Sequence, residues 1–274
     1  MLKQRVVTAV LLGLAILFAL FFLSDWAWGS LISLVVVLAL HEWCALVKIN
    51  RIGQTVLSLL CMIPIMYLAV FPPAAESDVL MLIGAGYVLS ISFWLLSVPT
   101  FLYFHIEPVG WYWRYGVAAI LTVPSGIALL ELRRADSLLM LAALLLVCVA
   151  DISAFFVGRS FGKRKLAPEI SPGKTWEGVY GAIGGVLLFC VGIWFFVPTI
   201  HQSLGLIWVI VLALIYVLVC VMGDLFESLV KREAGVKDSG ALLPGHGGVL
   251  DRVDAMLAFF PFAGATLLLL QLLA

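Results

Sequence analysis

The chain has 274 residues, of which 64% are hydrophobic and only 12% charged, with a mean hydropathy of +1.17. Soluble domains carry about 25% charged residues, so too little polar surface remains here to cover a core in water. Lys plus Arg and Asp plus Glu number 16 each, and a neutral chain lacks the basic footprint of a nucleic-acid binder. Crossing a bilayer's hydrocarbon core takes about 20 mostly apolar residues. Apolar runs of roughly that length recur at 6–23, 26–46, 54–71, 79–98, 115–131, 137–157, 178–198, 206–226 and 253–273. Lys3 and Arg5 precede the first run as in a secretory leader, but the run is long and no small-x-small cleavage site follows. It reads as a retained helix.

Between the runs lie turn residues or charge, such as Asn50-Arg51-Ile52-Gly53 and Pro72-Pro73. The runs are apolar on nearly every face, which suits lipid-embedded helices and not strands. The fold class is therefore all-α, a polytopic integral membrane protein with about nine transmembrane helices. Residues 1–135 form an N-terminal and middle helical region, and 136–274 a C-terminal region that carries the chemistry. With a cytoplasmic N-terminus, 14 of the 16 Lys and Arg residues fall on the cytoplasmic side, as positive charge does in membrane proteins. Arg133 and Arg134, between the fifth and sixth spans, are the exceptions. The tryptophans at 26, 28, 111 and 113 are expected at the membrane interface, with His105 and His201. The five cysteines, all in apolar runs, odd in number and without a CxxC pair, are expected as buried, inert thiols.

Two cytoplasmic segments, 151–178 and 224–254, hold nine of the 16 basic residues. In the first, Gly173-Lys174-Thr175 looks like the end of a phosphate loop. The Gly required five positions earlier is Pro168, and no strand is expected before it, so that assignment fails. Arg159, Lys163 and Lys174 suit a phosphate clamp, Ser171 and Thr175 offer hydroxyls, and Glu177 is placed to orient a base. Asp151 shares a helical face with Arg159. His41-Glu42 lacks the second His of a zinc protease and reads as a packing contact. Gly181 and Gly185 form a small-xxx-small pair that suits helix packing.

In the second segment, Asp224, Glu227, Ser228 and Lys231 fall at i, i+3, i+4 and i+7, one polar stripe on a helix. Asp251 and Asp254 are one turn apart, and Gly245, Gly247 and Gly248 let the backbone approach a ligand closely. An acid within an apolar helix is costly and suggests function. Hard carboxylate oxygens beside Lys231, Arg232, Lys237 and Arg252 suit Mg²⁺ holding a polyphosphate.

The run Ser228-x-Val230-Lys231-Arg232-x4-Lys237-Asp238-x-Gly240-x2-Leu243-Pro244-x-His246-Gly247-Gly248-Val249-x-Asp251-Arg252-Val253-Asp254 resembles the signature of the phosphatidate cytidylyltransferase (CDP-diacylglycerol synthase) family. The block Gly158-Arg159…Gly162-Lys163…Ser171-Pro172-x-Lys174-Thr175-x-Glu177-Gly178 resembles the other segment typical of that family, and the likeness extends over the whole chain. The resemblance implies a Mg²⁺-dependent enzyme of the bacterial inner membrane, with its site facing the cytoplasm. It would join CTP to phosphatidate, and it implies a homodimer and a second, monovalent cation. Asp224 and Asp251 are the implied metal ligands, with Asp254 contributing, and Asp224, Asp251, Lys237 and Arg252 form the catalytic group. Ser228, Lys231, Arg232, Asp238, His246, Gly247 and Gly248 join the residues of the first segment in binding substrate. A CTP-dependent lipid kinase is the nearest alternative. A transporter is disfavoured, because its charges would lie near the midplane and these cluster at one face.

Overall fold

A computed structural model describes residues 2–74, 77–104, 110–242 and 247–273 of the chain. In chain order the helices begin with α1 (Leu2–Phe22), α2 (Asp25–Leu46), α3 (Arg51–Val70) and α4 (Asp78–Ser92). A π-helical turn, Phe93–Ser97, leads into α5 (Val98–Phe104), and α6 (Trp111–Ala135) and α7 (Ser137–Phe161) follow. A short ribbon, β1 (Lys165–Ala167) and β2 (Ser171–Thr175), precedes α8 (Trp176–Phe196), α9 (Pro198–Ser203), α10 (Leu206–Glu233) and α11 (Leu250–Leu273). In lipid a helix satisfies its backbone internally, which is why long apolar runs become helices here. Among the described residues, eight helices are long and apolar enough to cross a bilayer. α1 is a further helix, in which Gly13–Phe22 is a shorter apolar stretch. The all-α polytopic reading holds; of the nine expected spans, eight are present among the described residues, and the apolar stretch of α1 is shorter than a span.

The core is built around α6, which packs on α2, α3, α4, α7 and α11. Side chains fasten it to its neighbours: Trp28 Nε1 donates to the Leu129 carbonyl, Trp43 Nε1 to that of Arg114, and Ser125 Oγ to that of Leu257. Trp28 and Trp113 are buried, not interfacial as expected, while Trp26 and Trp111 are exposed. Burial of Trp28 is explained by its hydrogen bond and by the Arg133 guanidinium lying 5.4 Å from its ring centre. His201 stacks on Trp194, and His105 lies outside the described residues. All five cysteines are free, but only Cys44, Cys61 and Cys220 are buried as expected; Cys190 is half-buried and Cys148 lies on the exposed face of α7.

Arg133 and Arg134, the exceptions to the charge rule, are internally neutralised. Arg133 Nη1 and Arg134 Nε pair with Asp25 at 3.0 and 2.9 Å, and Arg134 Nη1 pairs with Glu131 at 3.2 Å. The same guanidinium groups donate to the carbonyls of Leu20 and Leu23 at the end of α1, and of Leu68 and Ala69 at the end of α3. Carbonyls in a helix's last turn have no partner within the helix, and cations there suit its dipole. These two arginines are structural caps.

α7 and α8 form a closely packed pair. A Cβ at Gly181 would sit 2.5 Å from Val157 Cβ, and one at Gly185 would strike Ser153, so the small-xxx-small pair serves packing as expected. The β-ribbon between them departs from the strand-free expectation. Residues 165–175 lie outside the apolar runs, where a ladder is open to them, and Lys165 pairs with Thr175 and Ala167 with Ser171. Buried Ile170 packs with Leu225 and Leu229 and seats the ribbon on α10.

Candidate active site

The ribbon and one end of α7, α10 and α11 bring most of the expected residues together. On α10 the polar stripe forms as the spacing requires. Lys231 Nζ bridges two carboxylates, Glu227 Oε2 and Asp251 Oδ1, each at 2.6 Å. The three side chains are 11%, 5% and 7% exposed, respectively. Asp251 Oδ2 accepts the amides of Ser239 at 3.0 Å and Gly248 at 2.8 Å. Both oxygens of Asp251 are thus engaged, and Lys231 is committed to internal carboxylates instead of facing outward to phosphate.

A second ion pair joins the two sequence segments: Lys174 Nζ of β2 meets Asp224 Oδ2 of α10 at 2.5 Å. Thr175 is buried and caps α8, its hydroxyl accepting the Gly178 amide at 3.2 Å. Glu177 shapes the ribbon's entry, accepting the amides of Lys163 at 3.1 Å and Arg164 at 3.2 Å. Arg232 ties the ribbon down, donating Nε to the Ile170 carbonyl at 3.2 Å and Nη1 to that of Val236 at 3.1 Å. Asp151, on α7, lies within electrostatic reach of Asp224, Lys174 and Arg252. Asp254 is likewise within reach of Asp224, Glu227 and Lys174.

The remaining residues divide between surface and interior. Arg159, Lys163, Lys237, Asp238 and Arg252 are exposed, and Arg159 lies over the Phe155 ring. Ser171 opens β2, and Ser228 is buried on α10. Gly247 has φ +82°, open to glycine at little cost, and a Cβ there would approach Asp251 Oδ2 at 2.6 Å. His246 lies outside the described residues.

Among the described residues no three His, Cys, Asp or Glu side chains are gathered as a metal centre. The donors nevertheless suit a hard cation. Asp151, Asp224, Glu227, Asp251 and Asp254 outnumber the cations described beside them, Lys174, Lys231 and Arg252. Among the described residues nothing donates to the buried Glu227 Oε1, and Glu227 and Asp254 line a small void with Trp43, Trp94 and Gly223. Asp224, Asp254 and Glu227 each keep a carboxylate oxygen to offer, since the contacts described for them engage Asp224 Oδ2, Asp254 Oδ1 and Glu227 Oε2. Asp251 would have to exchange partners first.

One residue of the site was read from sequence only as a packing contact. Glu42 of α2 is 6% exposed. Its Oε1 accepts the Val249 amide at 2.9 Å, and its Oε2 accepts the Leu250 amide and the Ser239 hydroxyl, each at 2.8 Å. The cue was available: an acid in an apolar helix is expensive and seldom idle. Beside it opens a cavity of about 380 Å³ lined by Leu38, His41, Glu42, Ser239, Gly240 and Leu242.

A helical bundle built for lipid, with paired acidic and basic side chains collected at one end, has the architecture of a membrane enzyme. The chain matches the Cytidylyltransferase family over residues 3–270 and belongs to it; it is a nucleotidyltransferase. It is 38% identical to a phosphatidate cytidylyltransferase of Pseudomonas aeruginosa, over 97% of both chains. A phosphatidate cytidylyltransferase of Haemophilus influenzae is 34% identical, over 96% of this chain and 97% of its own. With one from Bacillus subtilis the identity is 43%, over 44% of each chain.

Proposed function

We propose that the protein joins CTP to phosphatidate, forming CDP-diacylglycerol and pyrophosphate, at the cytoplasmic face of a bacterial inner membrane. The observation that carries this reading is the Lys174–Asp224 ion pair, which draws the two phosphate-suited segments together at one end of lipid-exposed helices. Extracting two acyl chains of about 16 carbons would cost on the order of 25 kcal/mol, at about 0.8 kcal/mol per CH₂. The headgroup therefore reacts where the chains can stay in lipid. α7 and α8 fit that demand, with Ile152, Phe155, Phe156 and Tyr180 exposed beside Asp151 and Arg159.

In the proposed reaction a phosphate oxygen of phosphatidate attacks the α-phosphorus of CTP. The new P–O bond forms as the bond to the β-phosphate bridge breaks, and the electron pair leaves with pyrophosphate. A phosphate monoester is largely dianionic near pH 7, so no strong base is required. Holding two polyanions together is the main demand. Lys174, Arg159, Lys163 and Arg252 would lower their repulsion, while Lys231 fixes Asp251 in place. Mg²⁺, held by Asp224 and Asp254 with Asp251 beside them, would neutralise the charge developing on the phosphates. The monovalent cation and the homodimer of the resemblance belong to the same proposal.

The test uses purified protein, phosphatidate and α-labelled CTP. Labelled lipid and pyrophosphate in equal amounts are expected, whereas CDP with phosphorylated lipid alcohol would identify a lipid kinase. Lys174→Ala should lower kcat/KM for CTP by about 10–100-fold, since a hydrogen bond to a charged group contributes about 1.5–3 kcal/mol. Arg159→Ala should lower it less. Unchanged kinetics in folded Lys174→Ala would make that residue a mere partner of Asp224.

Orientation has its own measurement. Single cysteines at Ser160 and Ala241, both exposed at the site end, should resist an impermeant reagent in intact cells and react after permeabilisation. Labelling of either in intact cells would reverse the assigned topology.

A further inference from the structure

We propose that Glu42 is a positioning residue for the transfer reaction, a buried carboxylate on α2 that holds the Asp251 carboxylate in register through the loop they share. The inference rests on the cytidylyl-transfer reading above.

The geometry is specific. Two carboxylates bracket the first turn of α11. Asp251 takes the amides of Ser239 and Gly248, and Glu42 takes those of Val249 and Leu250 together with the Ser239 hydroxyl. Ser239 thus donates to both acids, its amide to Asp251 and its hydroxyl to Glu42. The first amides of a helix have no partner within it and carry the positive end of its dipole. They are natural partners for a buried anion, and among the described residues Glu42 pairs with no Lys or Arg. The linked set runs from Glu42 through Ser239 and Asp251 to Lys231 and Glu227.

Two glycines are explained by the same contact. A Cβ at Gly240 would lie 2.6 Å from Glu42 Oε1, and one at Gly248 would strike both Glu42 Oε2 and Ser239 Oγ. The backbone at both ends of the 239–250 stretch closes on this carboxylate. At Gly240 and Gly248, then, the close approach is to a side chain about 200 residues distant in sequence, as well as to any ligand. Among the described residues Glu42 bonds to the loop and not to Lys174 or Asp224, and so acts through others.

The test compares Glu42→Gln and Ser239→Ala with the full-length wild type in detergent or nanodiscs. Gln retains one acceptor oxygen but presents an N–H₂ donor to a backbone amide or to the Ser239 hydroxyl. Misplacing reacting groups by about 1 Å can cost on the order of 100-fold. Glu42→Gln is expected to lower kcat by about 10–100-fold, with KM for CTP changed little, in protein that remains monodisperse. Ser239→Ala should give a smaller loss of the same kind. Hydrogen exchange at the Val249 and Leu250 amides should quicken in Glu42→Gln. A variant with lower thermal stability but wild-type kcat per folded molecule would reduce Glu42 to a packing residue. If Glu42→Gln does not fold, Ser239→Ala decides alone, and its wild-type kcat would overturn the proposal. If wild-type protein releases no pyrophosphate from CTP and phosphatidate, the reaction assignment fails. The exchange measurement then decides separately whether Glu42 holds the loop.

Discussion

Lys231→Met is expected to destabilise the protein and to abolish most turnover at once. The ammonium lies between Glu227 and Asp251, and the side chains of all three are nearly sealed from solvent. Removing one partner of a buried ion pair leaves uncompensated charge and typically costs about 3–5 kcal/mol. Here one ammonium serves two carboxylates, so the cost falls at the upper end of that range. Asp251 keeps its two amide donors, whereas Glu227 loses its only described donor. The double variant Lys231→Met/Glu227→Gln should therefore recover much of the stability and little of the activity. Thermal unfolding in detergent and pyrophosphate release, measured on the same preparations, check both halves. A Lys231→Met protein as stable as wild type would mean that these carboxylates do not depend on the bridge.

The membrane bundle was legible because lipid imposes one rule on every span: apolar side chains outside and a self-satisfied backbone within. Composition and run length therefore located the long helices, although α10 runs seven residues past its expected end and the short α9 was not expected. The polar stripe on α10 followed from helical spacing alone, and Asp224, Glu227 and Lys231 do face a common site. Partner choice was not legible. Lys231 looked like a phosphate ligand by type, but Asp251 and Glu227 claim it. Arg133 and Arg134 looked misplaced because Asp25, and the carbonyls they cap, come from chain segments 65 to 113 residues away. Glu42 was the hardest case, since its described side-chain partners are all about 200 residues distant. The ribbon at 165–175 escaped notice because Gly, Pro and Lys there mask a strand that Ile170 anchors from outside its own pairs.

Asp224→Asn and Asp251→Asn should both lose most activity, but for physically different reasons. Asp224 is 37% exposed at its side chain, and its described ion partner is Lys174. Asn preserves its shape, so the protein should fold with near-normal thermal stability. What is lost is the negative charge that would share a metal ion with Asp254 and hold Lys174 against the phosphates. Removing one positioned electrostatic group typically costs about 10²–10³ in rate, or roughly 2.7–4 kcal/mol. Excess Mg²⁺ should restore part of that turnover, because the site is weakened and not dismantled. Asp251→Asn differs. Its new amide nitrogen would either meet the Ser239 and Gly248 amides, donor against donor, or face the Lys231 ammonium, donor against cation. Rotation of the amide relieves one conflict only by creating the other. This variant should be less stable as well as inactive, and added Mg²⁺ should restore neither property. Asp254→Asn should resemble Asp224→Asn in its response to Mg²⁺. The measurements are product formation across a Mg²⁺ titration, with monodispersity and unfolding temperature determined for each variant. Near-normal turnover by folded Asp224→Asn at low Mg²⁺ would remove that residue from the metal site. An Asp251→Asn variant that is fully stable, and rescued by Mg²⁺ as readily as Asp224→Asn, would instead make Asp251 a direct ligand with dispensable internal hydrogen bonds.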